Sequence, residues 1–149
     1  MRNLFEAATV EEVKGRIARL RPDSERLWGE MNPAQALAHL SAQFEMIAGR
    51  TFPPRSMPGR LFGRFARSIA LNEKPFRHSM PTDKELVVND DRDFDTERQR
   101  LQEMIGCFAE NGPAGCTKHP HSFFGWLTPE EWARLMYKHV DHHLQQFGV

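Results

Sequence analysis

Apolar residues recur at helical spacing in four long stretches of the chain. Val10, Val13, Ile17 and Leu20 form the first stripe. Thr9 in front of it, with Glu12 three residues on, predicts a capping box with Thr9 as N-cap. Pro22 ends that helix. A second helix opens at Asn32-Pro33-Ala34-Gln35, with Asn at the N-cap, Pro at N1 and Gln at N3. Its apolar positions run through Ala36, Leu37, Leu40, Phe44 and Ile47 to Gly49, a suitable C′ residue. A third fits Asp93 to Glu110, with Leu101, Met104, Ile105 and Phe108 as core stripe, and Asn111-Gly112-Pro113 stops it. The last begins with a second capping box, Thr128-Pro129-Glu130-Glu131. It carries Trp132, Leu135, Met136, His139, Val140, His143 and Phe147 on one broad face.

Between the second and third of these lies a connection rich in arginine and proline, with Pro53, Pro54, Pro58, Pro75 and Pro81. Gly59 to Leu71 can form a short helix within it. Leu61, Phe62, Phe65 and Ile69 would be its apolar side, and Arg60, Arg64 and Arg67 would line the other. Glu85–Val88 is a brief extended candidate with no partner strand. Four main helices and no convincing sheet predict an all-α chain, an antiparallel four-helix bundle with one long connection. Residues 1–149 are read as a single domain.

The polar residues on these stripes carry the chemistry. His139 and His143 are four apart, so their imidazoles share one helix face a turn apart. His39 sits in the apolar run Ala36-Leu37-Ala38-His39-Leu40. If the two helices pack side by side, three neutral imidazoles meet inside and leave coordination positions for water or substrate. The spacing equally fits three buried core histidines, each needing a hydrogen-bond partner of its own. His142 is three residues from His139 but lies off the Trp132–Met136 stripe, which favours His143. A zincin-type peptidase is excluded, because Val140 stands where HExxH requires glutamate. Asp141 projects away from the histidine face.

Charge adds little. Lys+Arg and Asp+Glu are 20 each, so the net charge is zero. Nothing in that balance, and no recognition motif, draws the chain toward nucleic acid or an anionic membrane. No run is apolar enough to span a bilayer, and residues 1–6 lack a signal-peptide core. With two unpatterned cysteines, these features predict a cytoplasmic, reduced protein. Cys107 falls in a helix stripe and reads as core, while Cys116 lies in a Gly/Pro-rich loop and could be exposed. The arginines from Arg50 to Arg77 offer capture of an anionic substrate, but a solvated helix face accounts for them equally well. His119 and His121 flank Pro120 ahead of Phe123 and Phe124. They suggest either a pocket lid with a proton-transfer group or, by the commoner use of such rings, an aromatic anchor.

Three segments together resemble the DinB/YfiT-like superfamily of four-helix metalloproteins, in particular a branch known only as a domain of unknown function. They are Asn32–His39, His119–Thr128 and Trp132–Phe147, with Gln145-Gln146 following His139 and His143. The resemblance implies an antiparallel bundle and a homodimer. It implies a divalent metal, nickel or zinc, on His39, His139 and His143. Relatives with assigned activity include thiol transferases and a maleylpyruvate isomerase, which implies a small-molecule thiol or electrophile as partner; from the metal chemistry itself, thiol transfer is the first expectation and metal-assisted hydrolysis the second. A non-enzymatic dimeric metal-binding or stress-related module is the alternative.

Overall fold

The computed structural model describes residues 2–78 and 86–149. Among them are five α-helices and no β-strand: α1 (Ala7–Arg19), α2 (Pro33–Ile47), α3 (Met57–Ala70), α4 (Phe94–Asn111) and α5 (Pro129–Gln146). A 3₁₀ turn, Gly112–Gly115, follows α4. The chain is all-α in its described residues, as the stripes predict. The extended candidate at Glu85–Val88 begins outside those residues, and Leu86–Val88 join no strand.

Local chemistry sets most helix ends. Asn32 caps α2 by accepting from the Gln35 backbone N–H, while Gln35 returns a bond to the Asn32 N–H, at 2.9 and 3.0 Å. Thr128 and Glu131 do the same at the start of α5. Each such cap is worth about 1 kcal/mol. Gly49 takes φ +69° just after α2, a left-handed conformation that glycine adopts at little cost. The first helix departs from expectation. It begins at Ala7 with Glu6 at the N-cap position, so Thr9 lies inside the first turn. The buried Thr9 hydroxyl donates to the Glu6 carboxylate at 3.1 Å, and Glu12 pairs with Arg2 and Arg16 instead of completing a capping box. Leu4, fully buried and tied by its N–H to the Ala133 carbonyl, anchors the earlier start.

The core is built from the four stripes. α2 packs against α4 and α5, and α1 packs against the same two helices. Val13, Ile17, Leu37, Leu40, Ile47, Leu101, Ile105, Trp132, Met136 and Leu144 are all essentially inaccessible to solvent. Burying side chains of this size contributes roughly 1.5–3 kcal/mol each. α2 is buried on nearly every side, which explains its largely uncharged sequence.

α3 does not pack through its apolar side. Leu61, Phe62, Phe65 and Ile69 are 53–73% exposed, and the face that packs inward is Gly59, Gly63 and Ala70. The two glycines lie against the Phe123 carbonyl. A Cβ on Gly59 would stand 2.7 Å from that oxygen, so only a residue without a side chain fits. The apolar stripe therefore points away from the seam. Arg67 to Glu131 and Lys138 to the Ala70 carbonyl fasten α3 to α5. Cys107, expected in the core, is exposed on α4.

Candidate metal centre

Two helices supply the cluster. Leu37 and Leu40 seat the inner face of α2, and His39 between them is 1% exposed. Met136, Val140 and Leu144 seat α5, carrying His139 and His143 toward His39. The three ring centroids lie 5.0–5.1 Å from one another. One ligand nitrogen from each histidine lies within 4.8 Å of the others, and His39 Nε2 is 3.1 Å from His139 Nε2. Tetrahedral coordination with bonds of about 2.0–2.1 Å sets ligand nitrogens about 3.4 Å apart. The closest pair is already near that spacing.

Outer hydrogen bonds assign the protons. His39 Nδ1 is 2.7 Å from the Leu86 carbonyl, which can only accept. Nδ1 therefore carries the hydrogen and Nε2 presents a lone pair. Gln146 Nε2 donates to the Trp28 carbonyl at 2.7 Å, which fixes the orientation of the Gln146 amide. Its Oε1 then accepts from His143 Nδ1 at 2.9 Å, leaving His143 Nε2 as the free nitrogen. Both anchored rings are thus held by the kind of outer partner that metal-ligating histidines use. In the absence of an ion, the close His39–His139 pair requires a hydrogen on His139 Nε2. A cation replaces that hydrogen and satisfies all three nitrogens together.

The electrostatics favour neutral imidazoles. Burial lowers His39 below the ordinary histidine value. His139 is held well below it by burial, and next by the neighbouring His143. His143 is pushed down to about 3 by burial and then by His39. Neutral imidazole is the ligand form. The cluster resists protons at neutral pH, and the donor set fits a divalent cation.

The other polar candidates sit elsewhere. His142 is half-buried and meets Trp28, Phe76 and His78 through its ring rather than joining the three-nitrogen cluster. Asp141 points away and pairs with Arg16 at 2.7 Å. His121 is buried against Phe124 and Trp132. Its Nδ1 accepts from the Phe123 and Phe124 backbone N–H groups, the anchoring arrangement. His119 is exposed and its ring meets Phe52 at a tilt. Cys116 is half-buried, and burial raises its thiol to about 11, so it is protonated at neutral pH.

Gln146 entered the sequence reading only within the resemblance, with no role, and the Leu86 and Trp28 carbonyls did not enter it. Gln146 had a usable signal, since it lies three residues from His143 on the same helix. The two carbonyls had none, because a backbone oxygen has no sequence signature.

No helix among the described residues is long and apolar enough to cross a membrane. No curated protein and no solved structure gives a significant match. A family model described as protein of unknown function matches residues 3–148, nearly the whole chain. By that match the chain belongs to the family DUF1569.

Proposed function

We propose that this protein is a metal-dependent enzyme of the DinB/YfiT-like kind, an antiparallel four-helix bundle that works as a cytoplasmic homodimer. His39, His139 and His143 would hold one divalent ion, nickel or zinc. The observation that carries the reading is the pair of outer hydrogen bonds, Leu86 to His39 and Gln146 to His143, which leave Nε2 of each ring unprotonated. A divalent ion with open positions lowers the pKa of bound water or thiol and so supplies a nucleophile near neutral pH. Thiol transfer to a small electrophile is the first assignment and hydrolysis the second.

The chain's own residues contribute positioning and exclusion. Leu86 and Gln146 set the ring orientations, and the packed α2–α5 seam keeps protons off the imidazoles. The partly open edge of His139 is the side from which a small molecule would approach.

Protein purified without an affinity tag should contain about one divalent ion per chain. A screen of electrophiles against low-molecular-weight thiols should find turnover that chelation removes and metal restores. Turnover that survives chelation and is lost in Cys116→Ser would replace this mechanism with covalent cysteine chemistry. Stoichiometric metal with no turnover of either class would favour the non-enzymatic module. Size-exclusion chromatography with light scattering tests the homodimer.

A further inference from the structure

Away from the three-histidine cluster, a cavity of about 110 Å³ opens where the chain leaves α2 and meets the loop before α5. Thr51, Phe52, Arg55, Thr117 and His119 are among its lining residues. Arg55 is half-buried there. Its Nη2 donates to the Gly59 carbonyl at 3.1 Å, but its buried Nε has no acceptor among the described residues. No carboxylate of a described residue lies within ion-pair distance of it. Its own stretch of chain supplies none, because no aspartate or glutamate occurs between Glu45 and Glu73. Glu45 itself is held by Arg100.

A guanidinium has five donors in a planar fork and cannot shed its charge. Half-buried, with its Nε out of reach of water and short of an acceptor, it suits an oxyanion. The surroundings suit one. Thr51 and Thr117 bring hydroxyls to the cavity. The Thr117 oxygen already accepts from the His119 N–H at 3.1 Å, so its own hydrogen is free to donate outward. The His119 ring packs against Phe52 at a tilt of 52° with centroids 4.2 Å apart, forming one wall. Gly125 lets the loop approach closely from behind: a Cβ there would stand 3.4 Å from Arg55 Nη2, and its φ of +77° already favours glycine.

We propose that this cavity binds a small oxyanion, a carboxylate or a phosphate group, through Arg55 with Thr51 and Thr117. The proposal does not rest on the metal reading and stands or falls separately from it. The cavity's volume admits a group of a few heavy atoms, either a free anion or the anionic end of a larger molecule. A second cavity of about 310 Å³ shares Thr51, Phe52 and Pro53 with it and reaches Leu86, the residue that holds His39. A longer ligand anchored at Arg55 would extend in that direction.

The test is a titration of the full chain with inorganic phosphate and, separately, with acetate, at constant ionic strength, followed by backbone amide shifts. The expected result is saturable shifts at Thr51, Gly59, Thr117 and His119 with one or both anions. Saturation by phosphate alone identifies a phosphate site, and by acetate alone a carboxylate site. Affinity should fall at least tenfold in Arg55→Gln and stay unchanged in Arg50→Gln, an exposed neighbouring charge. If Arg55→Gln does not fold, Thr117→Val serves instead, with an expected loss of at least threefold. Absence of saturation, shifts centred on His39 and His139, or unchanged affinity in the variant that folds would overturn the proposal.

Discussion

His39 Nε2 and His139 Nε2 stand 3.1 Å apart across 100 residues of sequence, and only one of the two can carry a hydrogen. The Leu86 carbonyl decides which, by claiming the hydrogen of His39 for Nδ1. This contact makes the cluster polar, directional and ready for a cation. A buried set of three histidines with separate partners would have no reason to converge.

Metal content should follow this geometry. The wild-type chain should hold about one divalent ion, and His39→Ala, His139→Ala or His143→Ala should each reduce the content to near zero. His142→Ala should keep it, because that ring faces Trp28 and His78. Elemental analysis of tag-free protein checks this. Loss of metal in His142→Ala with retention in His143→Ala would reverse the choice of ligands.

Gln146 should matter without touching the ion. Gln146→Met removes the acceptor that holds His143 Nδ1–H, and loss of such an outer partner typically weakens metal affinity about 10–100-fold. Gln146→Glu keeps an acceptor and should retain more affinity than Gln146→Met. Competition titrations with a chromophoric chelator measure both. Equal affinity in wild type and Gln146→Met would show that His143 does not depend on this bond.

The metal-free protein should lose stability as pH falls below about 6.5. In the unfolded chain the histidines protonate near that value, whereas burial keeps them neutral in the fold, His143 down to about 3. The unfolded state therefore binds more protons in this window. Stability is complete above it and declines with acid by at most about 1.4 kcal/mol per pH unit for each histidine. Urea midpoints between pH 7 and pH 5, where most carboxylates stay ionised, isolate the effect. His143→Phe should flatten the profile. A wild-type midpoint that does not move over this range would contradict the burial argument.

The cysteines should label in the order opposite to their sequence contexts. Cys107 is exposed and should react first with a thiol-specific chromophore, while the half-buried Cys116, raised to about 11, should lag. Cys116→Ser should leave metal content and any turnover intact. Faster labelling at Cys116, identified by peptide mapping, would reopen a covalent mechanism.

Gly59→Ala and Gly63→Ala should destabilise the protein by roughly 1–3 kcal/mol each, through collision with the Phe123 carbonyl. Ser68→Gly, at an exposed position on the other side of the helix, should lose only the helix-propensity difference, at most about 1 kcal/mol. Thermal melts compare them. Unchanged melting of both glycine variants would mean that α3 is not seated on this loop.

Much of the molecule was legible in the chain itself. Asn32-Pro33-Ala34-Gln35 and Thr128-Pro129-Glu130-Glu131 announced where α2 and α5 start, because a capping box is a bond between residues three apart and needs nothing distant. The i, i+4 spacing put His139 and His143 on one face for the same reason. Tertiary structure decided what depends on remote partners. Thr9 had the residue type of an N-cap, yet the anchoring of Leu4 moved the start of α1 back to Ala7. The stripe on α3 had the period of a core face, but period gives only which residues share a side, not which side is covered. Glycine contacts with Phe123 turned that stripe outward. Cys107 was misplaced by the same ambiguity on α4. The proton positions of the histidine cluster were set by the Leu86 and Trp28 carbonyls, and every residue has a carbonyl, so only the folded chain could show which two were used.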